Sequence, residues 1–209
     1  NDVVVFNFPV NDTLINDEEN FGSRVTYYQA VREMGRDAVW DKYGDIIVTR
    51  PVDKRENFIK RCVAIGGDKL QVINGIVYID GKPQQVFPHS ERYYIFEAPK
   101  GTYVTKELLE SFGIEIREEQ GDLQSGPHGE AIVNITNEEK ANLRLPAGYF
   151  IKDYIAEGSP RDLFPYYDTA HKWSVDNYGP ISIPQKGTTI ELNADNIARY
   201  ERCISVYEG

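Results

Sequence analysis

Asn57-Phe58-Ile59-Lys60-Arg61-Cys62-Val63-Ala64-Ile65-Gly66-Gly67-Asp68-Lys69-Leu70-Gln71-Val72-Ile73-Asn74-Gly75-Ile76-Val77-Tyr78-Ile79-Asp80-Gly81 is the stretch from which the fold is read. Residues 57–65 read as a strand, closed by the turn Gly66-Gly67-Asp68. Residues 69–73 and 76–79 alternate on either side of Asn74-Gly75. That dipeptide signals a two-residue hairpin, because both central residues of the turn need positive φ. Asp80-Gly81-Lys82-Pro83 marks another turn.

The two-residue period of a strand places Phe58, Lys60, Cys62 and Ala64 on one face. Ile59, Arg61 and Val63 point the other way. Lys60 thus has apolar or small neighbours. Burying an ammonium favours the neutral amine. A neutral amine can take the proton of a serine hydroxyl as a general base. A lysine with a packed stem and a solvated head is the commoner arrangement, and periodicity alone favours it.

Working outward, residues 3–8 (Val3-Val4-Val5-Phe6-Asn7-Phe8) are β-branched and aromatic and stop at Pro9. They read as a buried strand. Residues 11–22 are polar and read as a loop. Residues 27–40 have helical spacing, with Tyr27, Val31, Met34, Ala38 and Trp40 near one face and Ser23 or Thr26 as cap. Gly35 weakens that helix. Residues 45–49 read as a further strand. Beyond Pro83, Thr105 caps a helix over 106–112 that Gly113 ends. Thr136 and Glu139 have capping-box spacing for a helix over 136–143. Residues 149–151 and 188–192 read as strands, and Asn193 caps a last helix over 194–204. Between them, residues 154–184 are aromatic and rich in turns.

Composition bounds the function. With 41% hydrophobic and 27% charged residues, the 209-residue chain is an ordinary globular one, with room for one large domain or two small ones. Its 17 glycines and 11 prolines punctuate many short elements, which favours a β-rich fold. A net charge of -10 argues against nucleic acid as a partner and against adsorption on anionic lipid. Cys62 and Cys203 read as small buried thiols rather than a disulfide framework. His89, His128 and His171 lack ligand spacing, so no metal is expected. No Gly-rich phosphate loop occurs, and no cofactor is expected. No apolar run is long enough to span a membrane. The chain opens directly into a strand with no leader or start methionine, which reads as a piece of a longer protein.

Residues 58–68 closely resemble the lysine box of bacterial type I signal peptidases: an aromatic residue, Ile, Lys, Arg, small or apolar residues, then Gly-Asp. Residues 75–83 resemble the hairpin that the family places next. Residues 1–9 resemble its preceding strand box, with Asn1 where Gly is usual. The three boxes occur in the family's order. The resemblance is firm over residues 1–9 and 45–83. It is loose over 84–209, which are similar to the variable inserted domain of long-form members.

The resemblance implies an α+β, mainly β fold. Residues 1–83 would be a partial catalytic β core, with the lysine box at 55–68 and an insertion at 10–44. Residues 84–209 would be a non-catalytic mixed domain. It implies a serine endopeptidase that removes signal peptides from exported preproteins with a Ser–Lys dyad, at the outward face of the bacterial cytoplasmic membrane. A segment outside the chain would anchor it. Lys60 would be the general base, Phe58, Ile59 and Val5 would bind substrate, and Arg61 and Asp68 would be structural. The family's Ser-Met-x-Pro box and its closing Gly-Asp-Asn-Arg box do not occur in these residues. The piece is therefore expected to hold the lysine without its serine and to be inactive alone. The other class of reading is a non-catalytic, β-rich exported binding or scaffolding domain with a structural Lys60. A self-cleaving repressor-type protease fits less well, because the insertion is long and no DNA-binding segment is present.

Overall fold

The computed structural model describes residues 2–7, 12–16, 27–126, 129–158, 163–165 and 171–204. Contacts divide the chain into Asn1–Val63 and Ala64–Gly209, rather than after residue 83. Both units join antiparallel strands to short helices, and over the whole chain this is an α+β, mainly β arrangement as expected.

In the first unit, strand β1 (Val3–Asn7) pairs with β4 (Asn57–Arg61) as a two-stranded ribbon. A second ribbon joins β2 (Thr13–Ile15) to β3 (Ile47–Thr49). Helices α1 (Tyr27–Met34) and α2 (Arg36–Tyr43) pack a small core of Ile15, Tyr27, Ala30 and Val39. The single helix expected over 27–40 is two helices. Gly35 sits between them at φ 84, outside helical backbone geometry, while Trp40 Nε1 donates to the Tyr27 hydroxyl at 2.9 Å and ties the pieces together. Met34 and Trp40 are exposed rather than core. The strand expected over 45–49 begins only at Ile47, after a 3-10 turn over Gly44–Ile46. The candidate caps Ser23 and Thr26 lie outside the described residues.

In the second unit, β5 (Lys69–Ile73), β6 (Ile76–Ile79) and β7 (Lys82–Pro83) form a meander. Asn74 and Gly75 have φ 48 and 74, and Asp80 and Gly81 have φ 51 and 75. Both turns therefore have the paired positive φ of two-residue hairpins. A distant strand, β12 (Tyr178–Ser182), adds to β5 and completes the sheet β12-β5-β6-β7.

A second sheet holds the unit's main core. It runs β11-β8-β10-β9, from β8 (Glu91–Glu97), β9 (Leu123–Ser125), β10 (Ala131–Thr136) and β11 (Phe150–Asp153). Tyr94, Phe96, Val133 and Ile135 of the central strands pack on Leu109, Ile114 and Ile116. Leu109 belongs to α3 (Lys106–Ser111), which Thr105 caps by accepting from Leu108 N. Helix α4 (Asn137–Asn142) carries the expected capping box between Thr136 and Glu139. Helix α5 (Ile197–Arg202) is shorter than the one expected over 194–204. Asn193 accepts from Asp195 N and Asn196 N, making a turn before the helix rather than its cap. Residues 188–192 carry no strand. Thr188, Ile190 and Leu192 line an apolar groove of about 550 Å³ beside α5, so side-chain packing takes the place of a ladder. Cys203, expected to be buried, is exposed on the same groove, and neither cysteine is in a disulfide.

Candidate active site

The ribbon carries Lys60. Its register sets Val3 opposite Arg61, Val4 opposite Lys60, Val5 opposite Ile59, Phe6 opposite Phe58 and Asn7 opposite Asn57. Directly opposed residues share a face. One face therefore holds Val4, Phe6, Phe58 and Lys60, with the two phenyl rings 6.4 Å apart. The other holds Val3, Val5, Asn7, Asn57, Ile59 and Arg61. Asn7 Nδ2 donates to Asn57 Oδ1 there at 2.8 Å.

The strand expected over 57–65 stops at Arg61, so Cys62 and Ala64 do not continue the Lys60 face as ladder residues. Residues 3–8, expected to be buried, have Val3 to Phe6 exposed, with Val5 at 68%; Phe8 lies outside the described residues. Among the described residues, the buried core of this unit gathers on α1, α2, β2 and β3 rather than on the ribbon. The Lys60 side chain is likewise exposed, without a hydrogen-bond or ion-pair partner among the described residues. Val4, Phe6 and Phe58 share its face, but they leave its side chain exposed.

Phe58 and Ile59 lie on opposite faces, as strand neighbours must. Ile59 meets Val5, and Phe58 shares the face of Lys60. The polar pair Asn7–Asn57 beside them was not foreseen. Each Asn stands out in its strand, but only the register reveals that they meet.

The ladder also orients the main chain. Cys62 N donates to Asp2 O at 2.8 Å, so residues 2 and 62 are a hydrogen-bonded pair. Alternation makes 4/60 and 6/58 hydrogen-bonded pairs too. The N–H and C=O groups of Asn57 and Ile59 then point away from β1. Among the described residues, β4 has no second strand partner to meet them. That edge can accept an extended chain.

Asp68 lies in the second unit. Its Oδ2 accepts from Ile65 N at 2.9 Å and its own N–H donates to Ile65 O at 3.1 Å. Gly67 N donates to Ile183 O, and a side chain on Gly66 would come within 3.1 Å of Pro184 O. Asp68 thus holds a tight turn against the segment after β12. Arg61 is exposed on β4.

The apolar groove beside α5 contains none of these residues. Among the described residues, no group of three or more His, Cys, Asp or Glu gathers to hold a metal ion. No described helix is long and apolar enough to cross a membrane.

Residues 1–120 match the family model described as "Signal peptidase, peptidase S26". Signal peptidase I of Rickettsia canadensis (strain McKiel) is 28% identical over 155 residues, covering 67% of this chain and 57% of that protein. Signal peptidase I of Rickettsia bellii (strain OSU 85-389) is 26% identical over 155 residues, covering 67% and 52%. That of Rickettsia massiliae (strain Mtu5) is 27% identical over 158 residues, covering 68% and 58%. The chain thus spans little more than half the length of these relatives. No solved structure matches it.

Proposed function

Since the chain belongs to the signal peptidase family, we propose that it serves as the lysine-bearing part of a serine endopeptidase that removes signal peptides from exported preproteins. Lys60 is the general base, and the serine nucleophile comes from a segment other than residues 1–209. The work is done at the outward face of the bacterial cytoplasmic membrane, where a segment outside these residues holds the protein. Residues 84–209 form a non-catalytic domain carried by the catalytic core.

The single observation that supports this reading is the edge of β4 next to Lys60, which meets no second strand among the described residues. A preprotein laid along that edge bonds to the main chain of Asn57 and Ile59, which sets its register. Ile59 and Val5 offer apolar contacts for its small side chains, and Phe58 supports the strand from the other face. Lys60 Nζ, as the neutral amine, takes the serine proton. The serine oxygen then forms a bond to the scissile carbonyl carbon. Collapse breaks the C–N bond, and the lysine proton passes to the leaving amine. Water, deprotonated by Lys60 Nζ, then forms a bond to the ester carbonyl carbon; the bond from that carbon to the serine oxygen breaks, and the proton passes from Nζ to the serine oxygen. In this scheme the serine segment and substrate cover the exposed Lys60 side chain and strip its water, which favours the neutral amine.

The test is cleavage of a preprotein with small residues before the cut, in the natural polypeptide that carries residues 1–209. Lys60→Ala and Lys60→Arg are expected to lower kcat by about a hundredfold or more, without loss of fold. A rate unchanged by Lys60→Ala removes Lys60 from the reaction.

A further inference from the structure

We propose that Asn7 and Asn57 form a register clamp that keeps Lys60 on its face of the β1–β4 ribbon, which makes both of them positioning residues. The inference rests on the reading of Lys60 as the base.

The register of a strand pair is usually set by a tight turn or by burial of one face. The first is missing from this ribbon and the second is weak. β1 and β4 are separated in sequence by residues 8–56, which contain β2, β3, α1 and α2, so no hairpin fixes their pairing. Burial chooses only weakly. One face offers Val4, Phe6, Phe58 and Lys60; the other offers Val3, Val5, Ile59 and Arg61. Each is apolar with one cation; Val4 and Phe6 are 38% and 40% exposed and Phe58 half-buried, against 57–68% for Val3, Val5 and Ile59, so the first face is partly covered and neither is closed. Main-chain bonds are indifferent, because a shifted ladder makes equivalent ones.

What distinguishes the observed register is side-chain contact. The Phe6 and Phe58 rings meet, but contact between rings tolerates shifts. The 2.8 Å bond from Asn7 Nδ2 to Asn57 Oδ1 is directional and exists in this register alone. It also sits at a non-hydrogen-bonded pair, where opposed side chains come closest. A slip of one residue would set Asn7 against Glu56 or Phe58. Lys60 would then stand opposite Val3 or Val5, on the wrong side of β1.

Disulfide trapping tests the clamp in the natural polypeptide with Cys62 and Cys203 replaced by serine. Val3→Cys with Arg61→Cys reports the observed register, because 3/61 is also a non-hydrogen-bonded pair within disulfide reach. Val4→Cys with Arg61→Cys reports a one-residue slip. Adding Asn57→Leu is expected to move the ratio of the two cross-links toward the slipped pair by about two- to tenfold. Without the added cysteines, Asn57→Leu is expected to lower kcat with KM little changed, since the open edge of β4 remains. Asn7→Lys with Asn57→Asp, which replaces the amide bond by an opposite-charge pair, is expected to restore both readouts. An unchanged cross-link ratio in Asn57→Leu overturns the clamp, whatever cleavage does. A shifted ratio with undiminished cleavage upholds the clamp and removes Lys60 as the base.

Discussion

Ile59 stands directly opposite Val5 in the β1–β4 ladder, and both side chains are largely uncovered, at 65% and 68% exposure. Two apolar side chains held together in water contribute little to folding, so their value lies in what they meet. Ile59→Ala is expected to change the stability of the protein by less than about 0.5 kcal/mol and to raise KM for a preprotein. Urea unfolding and steady-state cleavage measure the two effects. A large loss of stability with unaltered KM would assign Ile59 to the core instead.

The buried carboxylate Asp122 gives the second unit an acid-sensitive joint. Arg117 Nε donates to Asp122 Oδ2 at 2.6 Å and Arg117 N to the same oxygen at 3.0 Å; Asn134 Nδ2 donates to Oδ1 at 3.2 Å. Burial pushes the carboxyl up. The hydrogen bonds from the Arg117 side chain and main chain and from Asn134, with the guanidinium charge, outweigh it and hold the group below the usual carboxylate range. A group depressed on folding contributes stability that is fully present above its unfolded value, about 3.9. That stability is lost as pH falls through the lower folded value. Asp122→Asn is expected to cost about 2 kcal/mol at neutral pH and to flatten the fall in stability below about pH 4. Unfolding midpoints of both proteins across pH 2–7 would check this. Parallel curves would rule Asp122 out as the source.

Two hairpin glycines of like conformation should respond unequally to alanine. Gly75 and Gly81 have φ 74 and 75. A Cβ on Gly81 meets nothing within 4 Å, whereas one on Gly75 falls 2.4 Å from Arg92 Nη2 and 2.9 Å from Asp176 Oδ1. Gly81→Ala is expected to cost about 1 kcal/mol, the backbone term alone. Gly75→Ala should cost more, because it also displaces Arg92 from its 2.8 Å bond to Asn74 O. Equal costs in urea would mean that Arg92 moves aside freely.

Leu109, fully buried against Phe96 and Val133, anchors α3 to the sheet. Leu109→Ala is expected to cost about 2–5 kcal/mol. Thr136→Ala, which removes the capping box of α4, should cost about 1 kcal/mol. Chemical denaturation orders the two, and the reverse order would contradict the core as described.

Where the sequence carried local signals, it was legible. Asn74-Gly75 announced the hairpin and Thr136 with Glu139 the cap, because a turn or a cap depends on residues a few positions apart. In the second sheet of the second unit, β11 answers to the strand expected over 149–151, but β8, β9 and β10 were not legible. β8 carries the apolar Tyr93 and Ile95 on the face opposite its buried Tyr94 and Phe96, and β10 is covered on both faces, which blurs the alternation that marks a strand. β12 was missed because Tyr178-Gly179-Pro180 reads as a turn; it pairs with β5 only through an irregular register.

Lys60 shows where the boundary lies. The sequence by itself determined that a lysine follows Phe58 and Ile59 on a strand, before a Gly-Gly-Asp turn and an Asn-Gly hairpin. Those are facts of short range, set by φ preferences and a period of two. Only the tertiary structure decided that the strand ends at Arg61, that Lys60 faces Val4 while Ile59 faces Val5, and that Ile59 and Lys60 are exposed. Register and burial depend on which distant segment supplies the partner strand and covering layer, and no local preference of residues 57–61 encodes that choice.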